Sequence, residues 1–145
     1  NATIMILYTA HATSVGERGG GTAKTPDGAL DGKLDHPVEM GSKGDGVNPE
    51  QLFAIGYASC FLGAMKFVAS KMTPPLKLAP ESSTTAYVSF GARDDGEGFG
   101  LEVVMDVNLP GLDKAVAKDL AAKAHVVCPY SHATKGNIKV TTNIV

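Results

Sequence analysis

The chain is poor in the residues that usually announce chemistry. It has no tryptophan, two cysteines, two arginines and four histidines in 145 residues. Two cysteines are too few for the disulfide framework of a small secreted domain. The nine aromatic residues are scattered, without the basic and aromatic interleaving that single strands need, so no nucleic-acid partner is expected. A formal net charge of -2 gives no electrostatic reason to bind DNA or an anionic membrane. The longest uncharged apolar stretch, Leu52 to Met65, covers 14 residues. That is short of the roughly 20 needed to span a bilayer and reads as a buried helix. Asn1 to Ala10 holds an apolar patch with no basic segment before it, so no targeting signal is expected. The compartment these absences suggest is the cytoplasm, where a disulfide is catalytic or transient.

What is present fits one globular domain covering residues 1–145. At 43% hydrophobic residues and 15.0 kDa, such a chain buries roughly two thirds of its unfolded surface. No internal repeat or low-complexity tract interrupts it. β-Branched and aromatic residues followed by a Pro26-Asp27-Gly28 turn predict two or three short antiparallel strands over residues 4–36. The glycine-rich loop "GSKGDGVNPE" closes on a helix start, with Asn48 as cap and Pro49 in the first helical position. This helix is predicted to run to about Met72, before Pro74-Pro75. Two alternating strands around Asp94-Asp95-Gly96 read as a hairpin. A second helix is predicted from its cap Asp113 to Pro129, with Val116, Leu120, Ala124 and Val127 at helical spacing, and "NIKVTTNIV" is a closing strand. The order points to an α+β fold. The first helix is uncharged on nearly every face, so it calls for cover on more than one side, as a dimer would give.

The cysteines differ in setting. Cys60 sits in "GYASCFLGAM", a run that offers no charge, and apolar surroundings raise a thiol's pKa. By its setting alone it reads as an inert core residue. It becomes reactive only if the fold brings a cation to it, and Arg18 in "VGERGGG" is a candidate. A buried Arg18 demands an anion, and Glu50 stands in the first turn of the first helix, where it also complements the helix dipole. Glu50 and Cys60 are ten residues apart, about 15 Å along a continuous helix. They can share a site only if another subunit supplies Glu50 or the helix bends. Cys128, at the negative end of the second helix, is a poor first nucleophile but can condense with an already oxidised sulfur. A rival reading takes His125, Cys128, His132 and Cys60 as a metal set, although Pro129 breaks the helix between them. His11 and His36 read as ordinary surface residues.

Four stretches together carry a family resemblance. They are "LYTAHATSVGERGG", "NPEQLFAIGYASCF", "FGLEVVMDVNLPGL" and "VCPYSHATKGNIKV". In this order they resemble the organic hydroperoxide resistance (Ohr) branch of the OsmC-like family over nearly the whole chain. The resemblance implies an OsmC-like α+β fold, with antiparallel sheets packed around two central helices in an intertwined homodimer. It implies a thiol peroxidase acting on alkyl and fatty-acid hydroperoxides. Cys60 matches the peroxidatic cysteine, Cys128 the resolving one, and Arg18 and Glu50 the pair that activates the thiolate. Leu52, Phe53, Phe61 and Met65 are the expected apolar wall for substrate. No bound cofactor is implied; the reductant is a lipoyl dithiol, as dihydrolipoamide or a lipoylated protein. Departures are small: His132 stands where asparagine is common, and Glu17 beside Arg18 competes with Glu50 for the guanidinium. Two further functions stay open at this point, a non-catalytic thiol redox sensor and a metal-binding module.

Overall fold

The computed structural model describes residues 2–145, which group into two compact units, one ending at Pro49 and one running from Glu50 to Val145. In the first unit three short strands form an antiparallel sheet in chain order: β1 (Thr13–Val15), β2 (Thr22–Lys24) and β3 (Asp31–Lys33). The turn between β2 and β3 is tied by side chains. Thr25 Oγ1 donates to Asp27 Oδ1 at 2.7 Å, and Ala29 N–H donates to the same oxygen at 3.0 Å. These bonds hold the Asp27 carboxyl below its usual pKa range. Leu34 is the one buried hydrophobic residue of this unit among those described. The predicted strand does not extend over residues 4–12, which carry no regular structure. Ile4, Met5, Ile6, Leu7 and Tyr8 are all exposed, Leu7 by 98%. A strand needs a neighbour to satisfy its backbone, and none of the described strands pairs with this segment.

The second unit holds the core. α1 (Pro49–Ser70) begins at the predicted proline and is unbroken over 22 residues. β4 (Ser83–Ala92) and β5 (Phe99–Asn108) form the expected hairpin, in register from Ser83↔Asn108 to Ala92↔Phe99. α2 (Lys114–Val127) starts at its predicted cap, where Asp113 Oδ1 accepts from Ala115 N–H at 3.3 Å. Pro129 does not end the helical region. It opens a short α3 (Pro129–Thr134), because a first-turn proline lacks only a hydrogen that has no helical partner there. β6 (Val140–Ile144) then pairs with β5 in parallel, Val103 opposite Val140. The second sheet is thus mixed, not wholly antiparallel. A parallel return needs a long crossover, and α2 with α3 supplies it.

One face of each element fills the core. Val103, Met105 and Val107 alternate inward on β5 while Glu102, Val104 and Asn108 are exposed. On α1 the buried set is Tyr57, Phe61, Ala64, Met65 and Ala69, one helical stripe. On α2 it is Ala117, Leu120, Ala121 and Ala124. Val116 and Val127, predicted for that face, are exposed; the alanine side gives the closer approach and wins the core. The opposite side of α1 stays open within the chain, with Ile55 61% and Phe67 52% exposed. Over an 18-residue window α1 has a mean hydropathy of 1.6, so by length and composition it is long and apolar enough to cross a membrane. Its Tyr57–Ala69 stripe belongs to the same buried cluster as Val103 and Leu120.

Candidate active site

Cys60 lies on α1 one turn beyond Gly56, half-buried; Cys128 is fully buried at the bend between α2 and α3. Both are free thiols, and Cys128 Sγ donates to Cys60 Sγ across 3.6 Å. The bend that delivers Cys128 is built from the backbone. Cys128 N–H closes α2 onto Ala124 O at 2.8 Å, and its own carbonyl accepts from His132 N–H at 3.0 Å. Cys128 therefore both ends α2 and begins α3, a second role that the sequence reading did not give it.

Gly56 explains why α3 can come so close to α1. A Cβ on Gly56 would stand 2.5 Å from Tyr130 Oη, so the phenol occupies space that any other residue would fill. Tyr130 also packs against Phe53 and Tyr57, with ring centroids 6.1 and 5.7 Å apart. With Tyr130 in place, its backbone N–H serves the Cys60 sulfur as a donor.

The electrostatics of Cys60 follow from these neighbours. Burial raises its pKa first; the Tyr130 N–H opposes this, and the Cys128 thiol raises it further. The net direction is upward, so the second unit by itself supplies no activation. Cys60 needs a cation to be a thiolate near neutral pH.

The other predicted residues fall into place unevenly. Glu50 is half-buried in the first turn of α1, as expected, and the helix between it and Cys60 is unbroken. Arg18, half-buried, sits in a tight loop of the first unit. There Gly21 N–H donates to Glu17 O at 2.9 Å, and Glu17 takes a φ of 131°, a left-handed value that L residues rarely adopt. A Cβ on Gly21 would lie 2.4 Å from the Glu17 backbone, so only glycine closes this loop. His36 is not an ordinary surface residue. Its ring packs where a Cβ on Gly19 would lie 2.7 Å from Nε2, and its Nδ1 is buried.

The four residues of the expected apolar wall divide by burial. Leu52 and Phe53 are partly exposed, and Phe53 lines a cleft of about 420 Å³ with Leu101, Pro129, Tyr130 and Ile138. Phe61 and Met65 are completely buried and cannot line an open wall in this unit. Their stripe of α1 faces β5 and α2, where the larger hydrophobic gain lies.

His125 is absent from the predicted catalytic set but is central to the geometry. Its Nδ1 is 2.7 Å from Ser131 Oγ and its Nε2 is 2.7 Å from Thr142 Oγ1. Ser131 Oγ lies 2.8 Å from Tyr57 Oη. Burial lowers the pKa of His125, favouring the neutral ring. With both nitrogens engaged by hydroxyls, this ring does not present a lone pair to a metal. No cluster of three or more metal-ligating side chains occurs among the described residues.

Residues 42–143 match the model of the OsmC-like protein family. This chain belongs to the OsmC-like family. It is 52% identical over 140 residues to the organic hydroperoxide resistance protein of Xanthomonas axonopodis pv. citri, covering 96% of this chain and 95% of that one. Among solved structures it is similar to the organic hydroperoxide resistance protein OhrB of Bacillus subtilis, with a TM-score of 0.85 and 37% identity over 97% of this chain and all of the other. An organic hydroperoxide resistance protein from Elizabethkingia anophelis gives 0.87 and 42%, covering 97% and 98%. The α+β OsmC-like fold and the resemblance to the Ohr branch both hold.

Proposed function

We propose that this chain is a thiol-dependent peroxidase that reduces organic hydroperoxides to alcohols. The observation that carries the proposal is the reduced Cys60–Cys128 pair, 3.6 Å apart, in a chain of this family. In the proposed cycle the Cys60 thiolate attacks one peroxide oxygen. The O–O bond breaks, the alkoxide takes a proton and leaves as alcohol, and Cys60 becomes a sulfenic acid. Cys128 then attacks that sulfur, forming the disulfide and releasing water. An external lipoyl dithiol returns both thiols by exchange and becomes oxidised itself.

Arg18 is assigned to lower the Cys60 pKa and to hydrogen-bond the peroxide through its planar fork of donors, with Glu50 orienting it. The raised thiol pKa within the second unit supports the need for such a cation. The intertwined homodimer is part of this reading. It would cover the open side of α1, pair the uncovered segment 4–12, and allow Glu50 to serve the site despite its distance along the helix. The apolar cleft beside Pro129 and Tyr130 suits an alkyl chain better than hydrogen peroxide. A catalytic cycle that starts from free thiols fits a reducing compartment, and the cytoplasm is the compartment this reading assigns.

Steady-state kinetics with an alkyl hydroperoxide and dihydrolipoamide test the proposal. Turnover should exceed that with hydrogen peroxide, and Cys60→Ser should abolish it. Activity retained in Cys60→Ser would sink the assignment. A redox sensor would form the same disulfide but show no sustained turnover.

A further inference from the structure

Polar side chains near Cys128, buried at Tyr57 and Ser131 and part-buried at His125 and Thr142, form one connected chain across four elements. Thr142 on β6 bonds His125 on α2, His125 bonds Ser131 on α3, and Ser131 bonds Tyr57 on α1. A neutral imidazole donates from one nitrogen and accepts at the other, so every link can be satisfied at once. The placement relative to the thiols is regular. His125 stands three residues before Cys128 and Ser131 three after it, so their bond crosses the bend from which Cys128 projects. Tyr57 stands three residues before Cys60, on the same helix. Thr134 adds a brace, donating to Ser131 O at 3.2 Å while its hydroxyl lies 3.3 Å from Tyr57 Oη.

We propose that the Tyr57–Ser131–His125 hydrogen-bond chain positions Cys128 against Cys60 for the disulfide-forming step, with Ser131 as its node. The hydrogen bonds of these three run to one another, to Thr134 and to Thr142, not to a sulfur, so they are positioning residues. A disulfide requires the sulfurs to close from 3.6 Å to about 2.05 Å with a defined torsion, and small misplacements slow such steps steeply. The chain fixes both ends of that approach: the α2–α3 bend that carries Cys128, and the turn of α1 that leads to Cys60. Its buried members, Tyr57 and Ser131, are costly if left unsatisfied, so their complete bonding argues for a specific geometric role.

The proposal rests on the peroxidase reading for its biological use, but it can be measured without peroxide. The reduced protein is equilibrated with glutathione and its disulfide, where one glutathione disulfide accepts two electrons as Cys60 and Cys128 each lose a proton and join. Ser131→Ala removes the node, and the equilibrium should shift about tenfold against the protein disulfide. Ser131→Thr keeps a hydroxyl and should restore most of it. Tyr57→Phe, which keeps the ring in the core, should show a smaller shift in the same direction and serves if Ser131→Ala does not fold. An unchanged equilibrium in the variants that fold would overturn the proposal. Reaction of the wild type with an alkyl hydroperoxide is followed in parallel. If that fails while the glutathione shift is seen, the positioning role stands and the peroxidase reading falls.

Discussion

The two units hold their key residues by different physics. In the second, Cys60 and Cys128 are held by dense side-chain packing and a largely enclosed polar chain, with Tyr57, Phe61, Met65 and Leu120 wholly buried. In the first, Arg18 is held by backbone closure of a glycine loop, in a unit whose described residues bury a single hydrophobic side chain. A thiol pair must meet at bonding distance, which packing can enforce. A cation that serves a passing substrate needs only a fixed anchor and reach. The contrast predicts that activation and disulfide formation can be damaged separately.

Arg18→Met should separate them most clearly. It should lower the rate of Cys60 oxidation by an alkyl hydroperoxide about a hundredfold at neutral pH, the cost typical of losing one preorganised charge-stabilising donor. Disulfide formation with glutathione should remain. Stopped-flow oxidation beside the glutathione equilibrium reads both, and equal damage to the two would erase the distinction. Phe61→Ala attacks the other side of the comparison. Phe61 is fully buried and packs against His125, the rings tilted by 41° with centroids 4.4 Å apart, so its loss should cost about 3–5 kcal/mol of stability in denaturant unfolding.

The smallest effect is the pH dependence of stability. His125 has its folded pKa lowered by burial from an ordinary 6.5, so its contribution is present above that value and is lost as pH falls through the folded pKa. With Arg18 removed, as in Arg18→Met, Cys60 is left with an upward shift from 9.0, so in that variant its contribution holds below that value and is lost as pH rises through the folded pKa. In Arg18→Met neither group should tilt the curve between 6.5 and 9.0. Denaturant midpoints across this range, with His125→Phe flattening the acid side, check the signs.

Local chemistry made much of the fold legible. Pro49, Asp113, the Asp94-Asp95-Gly96 turn and the alternation on β5 all appear where their physics requires. Two features escaped because they depend on tertiary context. The parallel pairing of β6 is set by where the α2–α3 crossover lands, and Pro129 opens a helix because Cys128 turns the chain first. The site was legible unevenly. The cysteines, Arg18 and Glu50 came from family resemblance, since an apolar run marks Cys60 as inert. The polar chain was hidden: Tyr57 and Ser131 are 74 positions apart, and only the folded core joins them. Phe61 and Met65 were assigned to substrate because apolar residues near a reactive cysteine look alike until packing sorts them.

The most direct test is a titration of the reduced protein with one equivalent of an alkyl hydroperoxide, read by intact mass, thiol count and peptide mapping. The account predicts loss of two hydrogens, consumption of both thiols and a single peptide pair linking Cys60 to Cys128. An unchanged mass with both thiols still free would contradict it.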